Sequence, residues 1–278
     1  DVWTKLSAVL EDDPGVLAYD LMNEPNNLTA EGSNTRADAE VWELFSQAAV
    51  DAIRAAGDDH QLMIEAISWS AVDTFGDLHP RAWINDPRGK VVYSAHQYFD
   101  QTGRYTVAGN GPPELRYFFW ANRFEANSTT GERSFDEWNL HRLDKFIDWL
   151  ARNQVRGDIG EIGWPSYQQM VASGIPASEA SAESQRWNAL AEAWFQKADA
   201  ASLSVTYFAA SGLQFVDHPG LPPRLPEPNA VFVHSAGNGE LRDAMGMPIL
   251  TPEGKFQPRD IDTANSQYDV LIKHPSRD

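Results

Sequence analysis

Val16-Leu17-Ala18-Tyr19-Asp20-Leu21-Met22, running straight into Asn23-Glu24-Pro25, is the stretch that decides the fold. Seven largely apolar residues of strand length meet a polar triplet closed by a proline, which cannot continue a central strand. Upstream, Trp3, Leu6, Val9 and Leu10 keep helical spacing over residues 3–11, and Asp12-Asp13-Pro14-Gly15 ends that helix. Downstream, residues 37–56 place Ala39, Trp42, Phe45, Ala49, Ala52 and Ile53 on one helical face, with Gly57 as the expected stop. Gln61 to Ile67 reads as the next strand and Val91 to Ala95 as the third. A helix over 134–154 carries Phe135, Trp138, Leu143, Phe146, Ile147 and Leu150 inward. Gly157 to Ile162 is a strand, 179–200 a helix with Trp187, Leu190, Trp194 and Phe195 inward, and Leu203 to Ala209 a strand. Strands alternating with helices predict parallel βαβ units, and runs apolar on both faces predict strands covered on both sides.

After residue 213 the alternation stops. Pro219, Pro222, Pro223, Pro226 and Pro228 exclude an ordinary helix or central strand over 217–228. Val231-Phe232-Val233 and Tyr268 to Ile272 read as short strands, and 236–260 as surface loops. The expected organisation is a βα-alternating portion over 1–213 and a Pro/Gly-rich C-terminal extension over 214–278 that packs on it.

The 278 residues carry 22 Lys+Arg against 40 Asp+Glu, a formal charge of −18. Such a chain is repelled by nucleic-acid phosphates and by anionic membranes, so neither is an expected partner. Cysteine is absent, which excludes disulfides, thiolate nucleophiles and Cys-based zinc sites. No apolar stretch approaches the ~18 residues of a membrane span, and no signal peptide is visible. The chain starts at Asp1 rather than Met, so a processed form or a piece of a longer chain is expected. Ten tryptophans suit indole platforms for sugars, although most such residues serve in cores.

Polar residues gather at the C-terminal ends of the strands: Asn23-Glu24-Pro25, His96-Gln97-Tyr98, and Glu161 within Gly160-Glu161-Ile162-Gly163. In parallel α/β folds ligands bind at those ends. A carboxylate in apolar surroundings is costly, and two that converge have a known use. One donates a proton to a leaving oxygen, and the other attacks the anomeric carbon or activates water. Asn23 is placed to donate to a sugar hydroxyl. His96 and Tyr98, two residues apart on extended backbone, face the same side. The seven histidines show no metal-binding spacing, and no phosphate loop or nucleophile elbow is present. No metal and no cofactor is implied.

Together, Leu21-Met22-Asn23-Glu24-Pro25, His96-Gln97-Tyr98 and Gly160-Glu161-Ile162-Gly163 resemble the motifs of glycoside hydrolase family 5, the cellulase and mannanase family. The resemblance covers roughly residues 3–212 and implies a TIM (β/α)8-type barrel. It matches Glu24 to the acid/base at the end of strand four, His96 and Tyr98 to strand six, and Glu161, 137 residues further on, to the nucleophile ending strand seven. Ile64 to Ser70 resembles strand five. The implied activity is retaining, double-displacement hydrolysis of a β-linked polysaccharide, a β-1,4-glucan or a mannan.

Two departures follow. Only one helix precedes the acid/base, so the family's first three βα units are missing and the expected barrel is incomplete, with strands four to eight recognisable. Its open edge predicts a cover: the tail, a second copy of the chain in a homo-oligomer, or a missing N-terminal segment. The family's tryptophan after strand eight is also absent, since that segment reads Thr206-Tyr207-Phe208-Ala209. Trp69, Trp164 and Trp120 are the candidate sugar platforms instead. The missing parts leave an inactive carbohydrate-binding or structural module as the alternative, and a related barrel hydrolase with another substrate as a third reading. A polymeric substrate implies secretion. Asn27-Leu28-Thr29 and Asn127-Ser128-Thr129 are sequons that matter only in a eukaryotic secretory route.

Overall fold

The structure is a computed structural model describing residues 2–29, 34–100, 115–127, 134–172, 174–208, 232–233, 263–264 and 266–275. Five strands make one sheet: β1 (Ala18–Asp20), β2 (Gln61–Ile64), β3 (Val91–Tyr98), β4 (Gly157–Gly163) and β5 (Ser204–Tyr207). They stand in chain order and run parallel, forming part of a curled barrel. The fold is an incomplete TIM barrel. Register is set by pairs such as Tyr19 with Leu62 and Met63 with Val92.

Chain contacts divide the molecule into two units. The first comprises 1–97, 139–162 and 197–206; the second comprises 98–138, 163–196 and 207–278.

In the first unit, α1 (Val2–Leu10) precedes β1 and α2 (Arg36–Ala55) follows it. A capping box starts α2: Thr35 accepts the Asp38 amide, and Asp38 accepts the Thr35 amide in return. Its buried seam is Ala39, Trp42, Ser46, Val50 and Ile53. Phe45, expected on that seam, is instead 62% exposed. Ser46 occupies the seam because its hydroxyl is satisfied there, donating to the Trp42 carbonyl at 2.7 Å and accepting the Trp83 indole at 2.9 Å. The short helix α3 (Phe75–Leu78) and the greater part of α5 (Phe135–Asn153) cover β3. Trp149 is fully buried there, with ring centres 4.8 Å from Phe75 and 5.0 Å from Tyr93. Its indole donates to the His79 carbonyl at 2.6 Å.

The second unit holds α4 (Tyr117–Asn127), α6 (Tyr167–Ala172), most of α7 (Ala177–Ala200) and α8 (Tyr268–Leu271). Trp187 of α7 donates to the Leu115 carbonyl at 3.0 Å. Ser266 shares a hydroxyl hydrogen bond with Ser184 at 2.7 Å and accepts from the Asn188 side chain at 2.9 Å, fastening α8 to α7. Tyr268 to Ile272, expected as a strand, is helical: Leu271 and Ile272 donate to the carbonyls of Gln267 and Tyr268. Those amides find local acceptors, so no partner strand is needed. Phe232–Val233 is a strand as expected, β6, paired antiparallel with β7 (Thr263–Ala264), a partner the sequence did not disclose. The remainder of the expected extension lies outside the described residues.

β3 runs three residues further than the sequence suggested and carries His96, Gln97 and Tyr98 within the strand itself. The side chains that matter therefore stand on rigid backbone.

Candidate active site

Four side chains from successive strand ends meet in the first unit: Glu24 beyond β1, Glu65 just after β2, His96 in β3 and Glu161 in β4. Glu24 has φ of +48°, a left-handed conformation that costs a residue with a side chain about 1–2 kcal/mol. Its backbone amide donates to Glu65 Oε2 at 2.6 Å. Its carboxylate Oε1 lies 2.9 Å from His96 Nδ1. Pro25, buried behind it, forces the chain to turn away.

Glu65 is fully buried. The Trp42 indole donates to its carbonyl at 2.7 Å, which ties the strand end to α2. Its Oε1 lies 3.2 Å from His96 Nε2. His96 Nδ1 is also 3.8 Å from Glu161 Oε2. The imidazole is thus enclosed by three carboxylates, with an oxygen at each ring nitrogen. Burial opposes its charge, but Glu24, Glu65 and Glu161 outweigh that and push its pKa up to about 10. The facing atoms of Glu24, His96 and Glu161 all lie within 4.8 Å of one another.

Glu161 follows Gly160, whose position admits no side chain. A Cβ there would sit 2.5 Å from Ser94 Oγ and 3.0 Å from His96 Nε2. Two further acids surround the group. Asp158 of β4 is buried, and desolvation pushes it up to about 6. Asp20 of β1 is exposed as a residue. Withdrawal of its carboxyl from water, together with the Glu65 charge beside it, pushes Asp20 up to about 7; for an exposed residue the neighbouring charge is the firmer cause.

Of the residues singled out from sequence, the structure brings Glu24, His96 and Glu161 together. Asn23 is exposed next to Glu24. Tyr98 ends β3 half-buried and belongs to the second unit. Trp69 is 49% exposed, the one exposed indole among the ten. Trp164 and Trp120 do not present a face as platforms. Trp164 is fully buried, stacked 5.7 Å from Phe99, and its indole donates to Asn188 at 2.9 Å. Trp120 is 3% exposed. Each fills core volume in the second unit, where an indole gains more from burial than from exposure. Glu65, Asp20 and Asp158 were missed. Glu65 stands in Leu62-Met63-Ile64-Glu65-Ala66-Ile67, the same carboxylate-in-an-apolar-run signal that marks Glu24 and Glu161.

The model of the family "Cellulase (glycosyl hydrolase family 5)" matches residues 1–213. An endo-beta-1,4-glucanase B of Aspergillus niger is 30% identical over 160 residues, covering 57% of this chain and 38% of that protein. A Pseudomonas stutzeri endoglucanase structure is 25% identical, with a TM-score of 0.50, covering 75% of this chain and 51% of the other. An endo-beta-1,4-glucanase structure from Xanthomonas axonopodis pv. citri, 18% identical with a TM-score of 0.51 over 91% of this chain and 61% of the other, shares the fold. The chain thus spans less than two thirds of each of these relatives.

Proposed function

This chain belongs to glycosyl hydrolase family 5, and from that premise we propose that it is a retaining glycoside hydrolase acting on a β-linked glucan, with Glu161 as nucleophile and Glu24 as acid/base. The observation that carries the reading is the convergence of the two carboxylates, whose facing oxygens lie within 4.8 Å. Retaining enzymes hold their carboxyl groups about 5–5.5 Å apart, whereas inverting ones leave about 6.5–9.5 Å for a water molecule.

In the first step a Glu161 oxygen forms a bond to the anomeric carbon as the glycosidic C–O bond breaks. The Glu24 proton passes to the departing oxygen. In the second step Glu24 takes a proton from water, the hydroxide oxygen bonds to the anomeric carbon, and Glu161 leaves. His96, 3.8 Å from Glu161 and 2.9 Å from Glu24, supplies positive charge to both steps. Asn23 binds a sugar hydroxyl, and Trp69 stacks on a sugar ring. The name of the Aspergillus niger relative supports β-1,4-glucan as the substrate, and that of the Pseudomonas stutzeri endoglucanase supports a glucan. Residues 1–213 form the catalytic portion, 214–278 an extension of it. β1 is an edge strand of the sheet, and we place further barrel strands or a second copy of the chain against it. A polymeric substrate places the enzyme outside the cell. Among the described residues, no helix is long and apolar enough to cross a membrane.

Incubation with carboxymethyl-cellulose, mannan, xylan and β-1,3-glucan, read as new reducing ends, tests the reading. Release from carboxymethyl-cellulose that disappears in Glu161→Gln is expected. A folded chain that releases nothing from any polymer would instead favour a carbohydrate-binding module without turnover.

A further inference from the structure

We propose that Glu65 is a positioning residue for the acid/base, fixing the left-handed backbone of Glu24 and holding His96 as an imidazolium. The proposal rests on the glycosidase reading for its kinetic consequence, but not for its structural one. Two contacts define it. Glu65 Oε2 accepts the Glu24 amide at 2.6 Å, at the residue whose φ is +48°. Glu65 Oε1 lies 3.2 Å from His96 Nε2, while His96 Nδ1 lies 2.9 Å from Glu24 Oε1. A neutral imidazole has one N–H and one lone pair. With Glu24 and Glu65 both ionised, whichever nitrogen bore that lone pair would face a carboxylate oxygen. In that state the doubly protonated ring is the form that offers hydrogen toward both.

The burial is equally telling. Glu65 is fully buried and His96 only 4% exposed. A charge so placed is costly unless paired, so each needs the other. Among the described residues, the groups acting on the ring include five acids: Glu24 and Asp20 from the β1 side, Glu65 after β2, and Asp158 and Glu161 from β4. Glu65 is the one that touches both the ring and the backbone of Glu24. It therefore couples the position of the proton donor to the charge of the group beside the nucleophile.

Two consequences follow. The ring stays doubly protonated well above the ordinary histidine range. Loss of the Glu65 charge weakens proton delivery more than nucleophilic attack, because Glu24 is the residue it holds. Nitrogen-15 NMR of the histidine-labelled chain, with His96 assigned by its loss in His96→Gln, reads the first directly in the unmodified protein. Both ring nitrogens are expected to carry protons at pH 8. In Glu65→Gln the His96 midpoint is expected to fall by more than one pH unit. The same variant should lose at least tenfold more kcat/KM on cellotetraose than on 2,4-dinitrophenyl β-cellobioside, whose leaving group needs no proton. A neutral His96 at pH 8 in the parent would overturn the proposal. So would a Glu65→Gln chain with an unmoved midpoint and equal losses on both substrates. A parent that hydrolyses neither substrate defeats the glycosidase reading alone, since the NMR still decides the charge. If Glu65→Gln fails to fold, the parent spectrum and Glu65→Asp, which keeps the charge but shortens the reach, decide it instead.

Discussion

Gly160 shows how little room the site leaves. A methyl group there would press on Ser94 Oγ and on the edge of the His96 ring, and neither is the free end of a flexible chain. Gly160→Ala should therefore fold but displace His96, with kcat lowered at least tenfold and thermal stability by a few degrees, read by steady-state kinetics and a melting curve. Such residues differ in how legible they are. Glu24 and Glu161 stand out because a carboxylate in an apolar strand needs a reason. Glu65 gave the same signal inside Ile64 to Ser70, but the resemblance of that stretch to strand five assigned it no role. Trp164 and Trp120 misled because a tryptophan near a strand end looks the same in sequence whether its ring faces a cleft or a core. Packing against Phe99 and the hydrogen bond to Asn188 settle the former.

Among the elements, the turn after β2 is the most strained. Ser68, Trp69 and Ser70 have φ of +72°, +56° and +51°, three consecutive left-handed residues without a glycine. Each costs about 1–2 kcal/mol, so the surroundings must hold them. Ser70 Oγ accepts the Ala66 amide at 3.0 Å and donates to the Ser94 carbonyl at 2.5 Å, while His96 donates its own amide to the Ser70 carbonyl at 2.8 Å. This clamp presents Trp69 to solvent. Ser70→Ala leaves a buried amide and a buried carbonyl without that hydroxyl, and should destabilise the chain by about 2 kcal/mol in urea unfolding. The strands and long helices were readable from period and stop signals. This turn was not, because no glycine advertises it. Nor was α8: Tyr268 to Ile272 reads equally well as strand until Gln267 and Tyr268 are seen to accept the amides of Leu271 and Ile272.

For the whole molecule, the strand order follows from the alternation itself, since short strands joined through helices fall in sequence along a parallel sheet. The Pro-rich extension carries no such period, and its single legible strand, Phe232–Val233, needed a partner thirty residues away. Charge sets the response to pH. Despite the cost of burial, hydrogen bonds from His60 and Tyr19 hold Asp58 down to about 2, and Arg54 does the same for Asp86. Their stabilisation is present above the ordinary carboxylate range and is lost as pH falls toward 2. His96 and Asp158 act in the opposite sense. With folded pKa values raised to about 10 and about 6, their stabilisation is complete below their unfolded values and fades as pH rises through the folded ones. The net charge of −18 adds self-repulsion at the alkaline end. The melting temperature should peak between pH 4 and 6 and be lower at both pH 2.5 and pH 9, a profile that differential scanning calorimetry reads. The claim on which this picture turns is that Glu161 forms a covalent bond to sugar, and 2,4-dinitrophenyl 2-deoxy-2-fluoro-β-cellobioside, which slows the second step, tests it most directly. Peptide mass mapping should find one fluorocellobiosyl adduct on Glu161, absent from Glu161→Gln; a folded chain that hydrolyses glucan yet carries no adduct, or carries it on Glu24, would contradict the account.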